Sequence, residues 1–289
     1  IQHGTMTLVR RSALQASGGW AEWCITEDAE LGLRLFEQGW DATYVPRSYG
    51  QGLMPDTFTD FRQQRVRWAY GAMQILRRHA RVLFNWRDAA LTPGQRYHFL
   101  AGWLPWVADG ANLMFNFAAL AWSIGMVFAP RSVDPPLMIF SVLPLSLFAF
   151  KAVKLVDLYR TCVGAGPRQI AAAALSGLGL SHTVGVAVIA GLFTKDKPFL
   201  RTPKQAPRHA LLQALVSARE EWLMTIALLL AAWGVSEIDL MGSPDLAVWI
   251  IVLIIQTVPY LAAIVMSLVS ALPLPASLVG LPTPTRHQQ

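Results

Sequence analysis

Residues 99–129 read "FLAGWLPWVADGANLMFNFAALAWSIGMVFA" and carry one charge, Asp109. A bilayer core takes ~20 apolar residues in helical form, so this stretch is long enough to cross one, and that reading decides the fold. Three further runs share its character. Residues 137–156 hold Lys151 and Lys154 only near their end. Residues 211–235 are uncharged only from 222 onward, which places Arg219, Glu220 and Glu221 near an interface. Residues 246–271 form the fourth run, with a kink expected at Pro259. The whole chain agrees: 54% of its 289 residues are hydrophobic and 15% charged, against about 25% charge in a soluble domain.

A fifth run, residues 170–193, reads "IAAAALSGLGLSHTVGVAVIAGLF" and has the length to span. Charge speaks against it. The loops at 151–169 and 195–208 are both basic, while 236–245 holds Glu237, Asp239 and Asp245 and no base. Both basic loops belong on the cytoplasmic side, so 170–193 must enter and leave on that side, as an interfacial or re-entrant helix. The expectation is four spans, with residues 1–97, the 195–208 loop and the 273–289 tail in the cytoplasm. The pI of 9.6 is then explained by bases flanking spans, and no nucleic-acid partner is expected.

Residues 1–60 read as α/β. Strands are expected at 6–9 ("MTLV") and 42–45 ("ATYV"). A helix at 11–17 is closed by Gly18 and Gly19. A second begins after Thr26 as N-cap, buries Leu31, Leu35 and Phe36 on one face, and ends at Gly39. The chain shows neither an initiator Met nor a signal peptide, and its first strand has nothing before it to pair with. It therefore reads as a piece of a longer protein. Cys24 and Cys162 are far apart and in unlike segments, so they are expected to be reduced thiols.

Three stretches could carry chemistry. In "ITEDAELGL", Glu27, Asp28 and Glu30 fall in the first turn of a helix. The plain reading is that they complement the helix dipole, by ~0.3–1 kcal/mol each. Residues 61–87 hold seven arginines, no lysine and no acid. As a helix, Gln64, Arg67, Trp68 and Gly71 share one face. The plain reading here is a basic amphipathic helix on an anionic membrane surface, best suited to 77–87. It leaves the shared Gln, Arg and Trp face unexplained. Arg forks onto a diphosphate as Lys cannot, and a Trp ring is a platform for sugar C–H faces. The third stretch, "KDKPFLRTPK" at 195–204, is by charge alone a basic loop between membrane helices.

Taken in order, Thr26-Glu27-Asp28, then Gln64/Arg67/Trp68, then Phe199/Thr202/Lys204 behind a membrane segment, the chain resembles the processive membrane glycosyltransferases of family 2, the cellulose synthase and β-glucan synthase group. The wording around the motifs looks most like bacterial β-glucan glucosyltransferases. The resemblance implies a fold: an α/β remnant of a nucleotide-sugar transferase domain (1–60), an interfacial amphipathic region (61–97), and an α-helical membrane bundle (98–272) of about four spans plus interfacial helices. The 195–208 loop becomes a gating loop, and 273–289 a cytoplasmic tail.

It also implies roles. Asp28 is the general base, Arg67 contacts the donor diphosphate with Gln64 beside it, and Trp68 stacks on the acceptor sugar. Thr26 and Glu27 complete the first motif. Phe199, Thr202 and Lys204 close over the nucleotide. Gly4 and Thr5 match an acceptor-side motif in which His3 stands where a Cys is usual. The reaction implied is inverting transfer of glucose from UDP-glucose to a growing β-glucan, in a bacterial inner membrane with the catalytic part cytoplasmic. The polymer then crosses the same lipid bilayer. A divalent cation, Mg²⁺, is implied for the complete protein, bound by residues outside this chain, so the isolated fragment is expected to be inactive. No metal ligand is assigned within it.

In the first span, Trp106, Asp109, Asn112 and Asn116 follow helical spacing. They read equally as interhelical hydrogen-bond glue and as the lining of a polysaccharide conduit. Trp103 and Trp122 belong to that path or to an interfacial aromatic belt. His182 reads as a packed histidine. The alternatives are a non-processive transferase that glycosylates a lipid, which needs no conduit, and a transporter subunit, which leaves the Gln64/Arg67/Trp68 face without a use.

Overall fold

The computed structural model describes residues 4, 6–45, 47, 49–50, 55, 57–87, 89–194, 210–238 and 242–272. Among these the chain is helical, and it divides into two compact units. The first takes residues 1–56, 60–118 and 180–203, and the second 57–59, 119–179 and 204–289.

In the first unit, α1 (Arg11–Ala16) and α2 (Glu27–Glu37) both end as their glycines foretell. Gly18 and Gly39 adopt φ of +81° and +79°. Gly19 N–H then donates to Leu14 O, and Trp40 N–H to Leu35 O, across the last turn of each helix. The α2 face differs from expectation. Leu31 and Leu33 are fully buried, Glu30 is buried with them, and Leu35 and Phe36 are only half-buried.

The strands expected at 6–9 and 42–45 are not formed, and no strand occurs among the described residues. A strand needs a neighbour to complete its ladder, and the described residues supply none. Leu8 and Tyr44 stand exposed instead. The described residues therefore do not confirm the α/β expectation for 1–60.

The next helix, α3 (Phe58–Arg78), departs from the amphipathic surface helix expected at 61–97. Ala69, Tyr70, Gly71, Ala72, Met73, Gln74 and Ile75 are all buried, so its middle is an interior helix. Short α4 (Ala80–Phe84) follows. Buried Arg96 ties the connection to α5 (Pro93–Phe128), donating to Val82 O (3.0 Å) and Leu91 O (2.6 Å).

Within this unit α8 (Ser181–Phe193) packs closely on α5 and α3. Small residues allow the approach. A Cβ on Gly185 would lie 2.8 Å from the Asp109 carbonyl oxygen, and one on Gly110 2.9 Å from Val188 Cγ1. Across α8, a Cβ on Gly191 would lie 2.7 Å from Met73 Cβ. Gly185→Ala is therefore expected to destabilise by ~1–3 kcal/mol through overpacking, read as a lower thermal midpoint in detergent. Gly177→Ala, facing open space, is the control expected to leave it unchanged or raised.

The polar face of the first span meets α8. Ser181 donates to Asp109 Oδ1 at 2.7 Å, and Asn116 is fully buried. For Asp109 this favours interhelical glue. Trp103 is also buried, against Phe99 at 5.6 Å between ring centroids. Trp122 is half exposed and donates to Asp134 O. His182 is buried, as a packed histidine should be.

The second unit holds α6 (Met138–Leu158), continued by one π-helical turn, then α7 (Pro167–Gly179), α9 (Ala210–Ser217), α10 (Arg219–Ile238), α11 (Pro244–Gln256) and α12 (Val258–Ala271). Here α12 packs on α7, α9 and α10, and α11 on α6 and α10. The third expected run is interrupted at Ala218, and Glu221, near the start of α10, is fully buried. The fourth breaks at Thr257, two residues before Pro259, whose ring cannot continue the hydrogen-bond ladder. Thr257 turns its N–H and hydroxyl onto Ile254 O.

Among the described residues, four helices are long and apolar enough to cross a membrane: Pro93–Phe128, Met138–Val163, Arg219–Ile238 and Pro244–Ala271. The fifth run is broken at Leu180 into α7 and α8. The chain is read as a multi-pass membrane protein.

Candidate active site

Helix α3 brings the first two motifs together. A Cβ on Gly71 would lie 2.3 Å from Thr26 Oγ1 and 2.7 Å from Thr26 Cγ2, so only glycine lets α3 approach this closely. Thr26 stands at the N-cap position of α2 but makes no side-chain cap bond, in contrast to expectation. Its hydroxyl meets Cys24 Sγ at 3.5 Å instead. Asp28 accepts the Ala29 N–H on Oδ1 at 2.8 Å. Its Oδ2 faces Gly4, where a Cβ would come within 2.8 Å. Gly4 and Asp28 are thus neighbours. Glu27 is exposed.

Gln64 and Arg67 are half-buried on α3, and Trp68 is 38% exposed. The Arg65 guanidinium covers the Trp68 ring at 4.3 Å and the Phe61 ring at 4.7 Å. Any partner stacking on Trp68 therefore takes the ring face that Arg65 leaves, or displaces it. His3, Thr5, Phe199, Thr202 and Lys204 lie outside the described residues.

Glu30 is not a helix-start acid facing solvent. It is 1% exposed and pairs with Arg34 at 2.7 Å and His79 Nε2 at 3.1 Å. His79 Nδ1 meets Glu37 at 2.9 Å. Arg34 also donates to the carbonyls of Ser17 and Gly19. Burial alone would push the His79 imidazole down, but its hydrogen bonds to Glu30 and Glu37 outweigh that and raise it from 6.5 to about 9.

A raised pKa means that the imidazolium stabilises the fold. That contribution, up to about 3 kcal/mol, is complete below the unfolded value and lost as pH rises through about 9. The thermal midpoint is expected to fall between pH 6.5 and 9.5, and His79→Gln to flatten the profile. A wild-type midpoint that ignores this range would contradict the pairing.

The first-turn acids thus separate into different environments: Asp28 beside Gly4, Glu30 inside a charged cluster. Burial also pushes the Cys24 thiol up, consistent with an inert reduced cysteine. The 77–87 basic stretch is not simply a membrane-facing surface. Arg77 donates to Leu192 O and Thr194 O at the end of α8, and Arg78 lies over the Trp23 ring at 5.4 Å.

Sequence reasoning passed over Gln74 and His79. Gln74 extends the 64/67/71 stripe by one turn, and that periodicity could have found it. His79 left no such signal, since its partners Glu30 and Glu37 are 49 and 42 residues away. Among the described residues no three His, Cys, Asp or Glu side chains converge to hold a metal ion.

Comparison with known proteins follows this geometry. A family model described as glycosyl transferase family group 2 matches residues 1–152. The chain is 31% identical over 119 residues to a cellulose synthase catalytic subunit (UDP-forming) of Komagataeibacter sucrofermentans, covering 41% of this chain and 15% of that protein. It is 34% identical over 119 residues to cellulose synthase 1 catalytic subunit (UDP-forming) of Komagataeibacter xylinus, with the same coverage of 41% and 15%. It is 32% identical over 98 residues to a probable glucomannan 4-beta-mannosyltransferase 2 of Oryza sativa subsp. japonica, covering 34% and 17%. These alignments span 15–17% of the relatives' lengths.

Proposed function

Because the chain belongs to glycosyl transferase family group 2 and is cellulose synthase-like, we propose that the protein it represents is an inverting hexosyltransferase. It moves glucose from UDP-glucose to the end of a growing β-glucan and passes the polymer through its membrane helices. The contact of Gly71 with Thr26 carries this reading, since it joins the helix bearing Gln64, Arg67 and Trp68 to the turn that presents Asp28.

In the proposed mechanism Asp28 takes the proton from the acceptor hydroxyl as that oxygen attacks the anomeric carbon. The bond to the diphosphate breaks on the opposite side, so an α-linked donor yields a β-linkage. Arg67 offsets charge on the departing UDP, with Gln64 beside it. Trp68 holds the acceptor sugar. Thr26 and Glu27 frame Asp28, and Gly4 and Thr5 border the acceptor. Phe199, Thr202 and Lys204 cover the nucleotide. A divalent cation such as Mg²⁺ would be held by residues outside this chain and would supply Lewis-acid stabilisation of the diphosphate. The catalytic part faces the cytoplasm of a bacterium and the helices cross its inner membrane.

Membranes holding the complete protein, supplied with radiolabelled UDP-glucose, should yield long β-glucanase-sensitive chains. A single-sugar lipid product would establish the non-processive alternative instead. For topology, a cysteine introduced as Gln205→Cys should react only with reagent admitted to the cytoplasmic side. Labelling from outside would make 170–193 a fifth span.

A further inference from the structure

Gln74 is 4% exposed in the buried middle of α3, where an apolar side chain would be the simpler occupant. Two hydrogen bonds of its carboxamide go to one short piece of backbone. Oε1 accepts the Ile25 N–H at 3.2 Å, and Nε2 donates to the Trp23 carbonyl at 3.2 Å. Burying a carboxamide is costly unless such bonds are made. The pair brackets residues 23–25 as a neighbouring strand would, and the bracketed piece ends one residue before Thr26. One turn earlier on α3, Gly71 seats Thr26 itself, and its carbonyl lies 4.0 Å from Cys24 Sγ. Just past the helix end, His79 holds Glu30 and Glu37, one and three turns along α2. The approach to α2 and its first turns are thus held at successive points, and Gln74 grips the backbone that leads into the helix.

We infer that Gln74 is a positioning residue for sugar transfer: by bracketing the 23–25 backbone it sets Asp28 against the Gln64, Arg67 and Trp68 face. The inference rests on Asp28 being the base. Gln74 touches no reacting atom in that scheme. His79 is its structural partner, fixing the remainder of α2. A shift of ~1 Å in a reacting group can cost ~100-fold in rate, which sets the scale expected for loss of the bracket.

The test uses the complete protein in nanodiscs, with Gln74→Leu and Gln74→Asn. Leu fills the volume without hydrogen bonds, and Asn keeps the chemistry but is one methylene too short to reach both partners. Both variants should lower kcat by ~10–100-fold while KM for UDP-glucose stays within about twofold, because the donor-side residues are untouched. Amide exchange in the 20–30 peptide should quicken by about tenfold or more, the equivalent of losing a hydrogen bond, with the global thermal midpoint within a few degrees of wild type. Wild-type kcat in either variant overturns the inference, as does unchanged exchange in that peptide. A rise in KM alone would assign Gln74 to donor binding and also overturn it. Should the wild type transfer no sugar from UDP-glucose, the proposed function fails separately, and the exchange measurement still decides whether the bracket exists.

Discussion

Asp28→Asn in the complete protein is expected to reduce sugar transfer by about a thousandfold or more, within the range lost when a general base is removed. The substitution is nearly isosteric. The asparagine carbonyl can keep the bond that Asp28 Oδ1 accepts from the Ala29 N–H, so the first turn of α2 should stand. What changes is the other oxygen, which faces Gly4 on the proposed acceptor side. An amide nitrogen there donates and cannot take a proton. The measurement is incorporation from radiolabelled UDP-glucose at matched membrane expression, with the thermal midpoint as a check on folding. Transfer at the wild-type rate would remove Asp28 from the chemistry and return it to the role of a helix-start acid.

Gly71→Val should cost about a hundredfold in transfer and ~1–3 kcal/mol in stability. A Cβ at this position meets Thr26 Oγ1 at 2.3 Å and Thr26 Cβ at 2.9 Å. Real side chains do not approach so closely, and the second branch of valine worsens the clash. Helix α3 must retreat from the start of α2, carrying Arg67 and Trp68 away from Asp28. Gly94→Ala is the matched control, because nothing lies within 4 Å of a Cβ there. It should retain both rate and midpoint. Full activity in Gly71→Val would mean that the two motifs need no contact, and the proposed site would lose its main support.

The elements that were legible in the sequence are those decided by short-range physics. Long apolar runs announced the helices capable of spanning, because a backbone in lipid must satisfy its own hydrogen bonds. Gly18 and Gly39 announced helix ends, because the αL conformation suits glycine. The break before Pro259 followed from its missing N–H. Two strands were misjudged for a related reason. Alternation marks a segment that can pair, while pairing itself depends on a neighbour.

By itself the sequence determined the order of the apolar helices, the ends of α1 and α2, and the separate motifs centred on Asp28 and on Gln64, Arg67 and Trp68. Only the tertiary structure decided that Gly71 of α3 packs on Thr26, that the middle of α3 is buried, and that Glu30 joins Arg34 and His79 instead of facing solvent. The reason is that local signals record what one stretch of chain can do alone. The partners of Gln74 and His79 lie 42 to 51 residues away, and contacts over that distance arise when side chains pack.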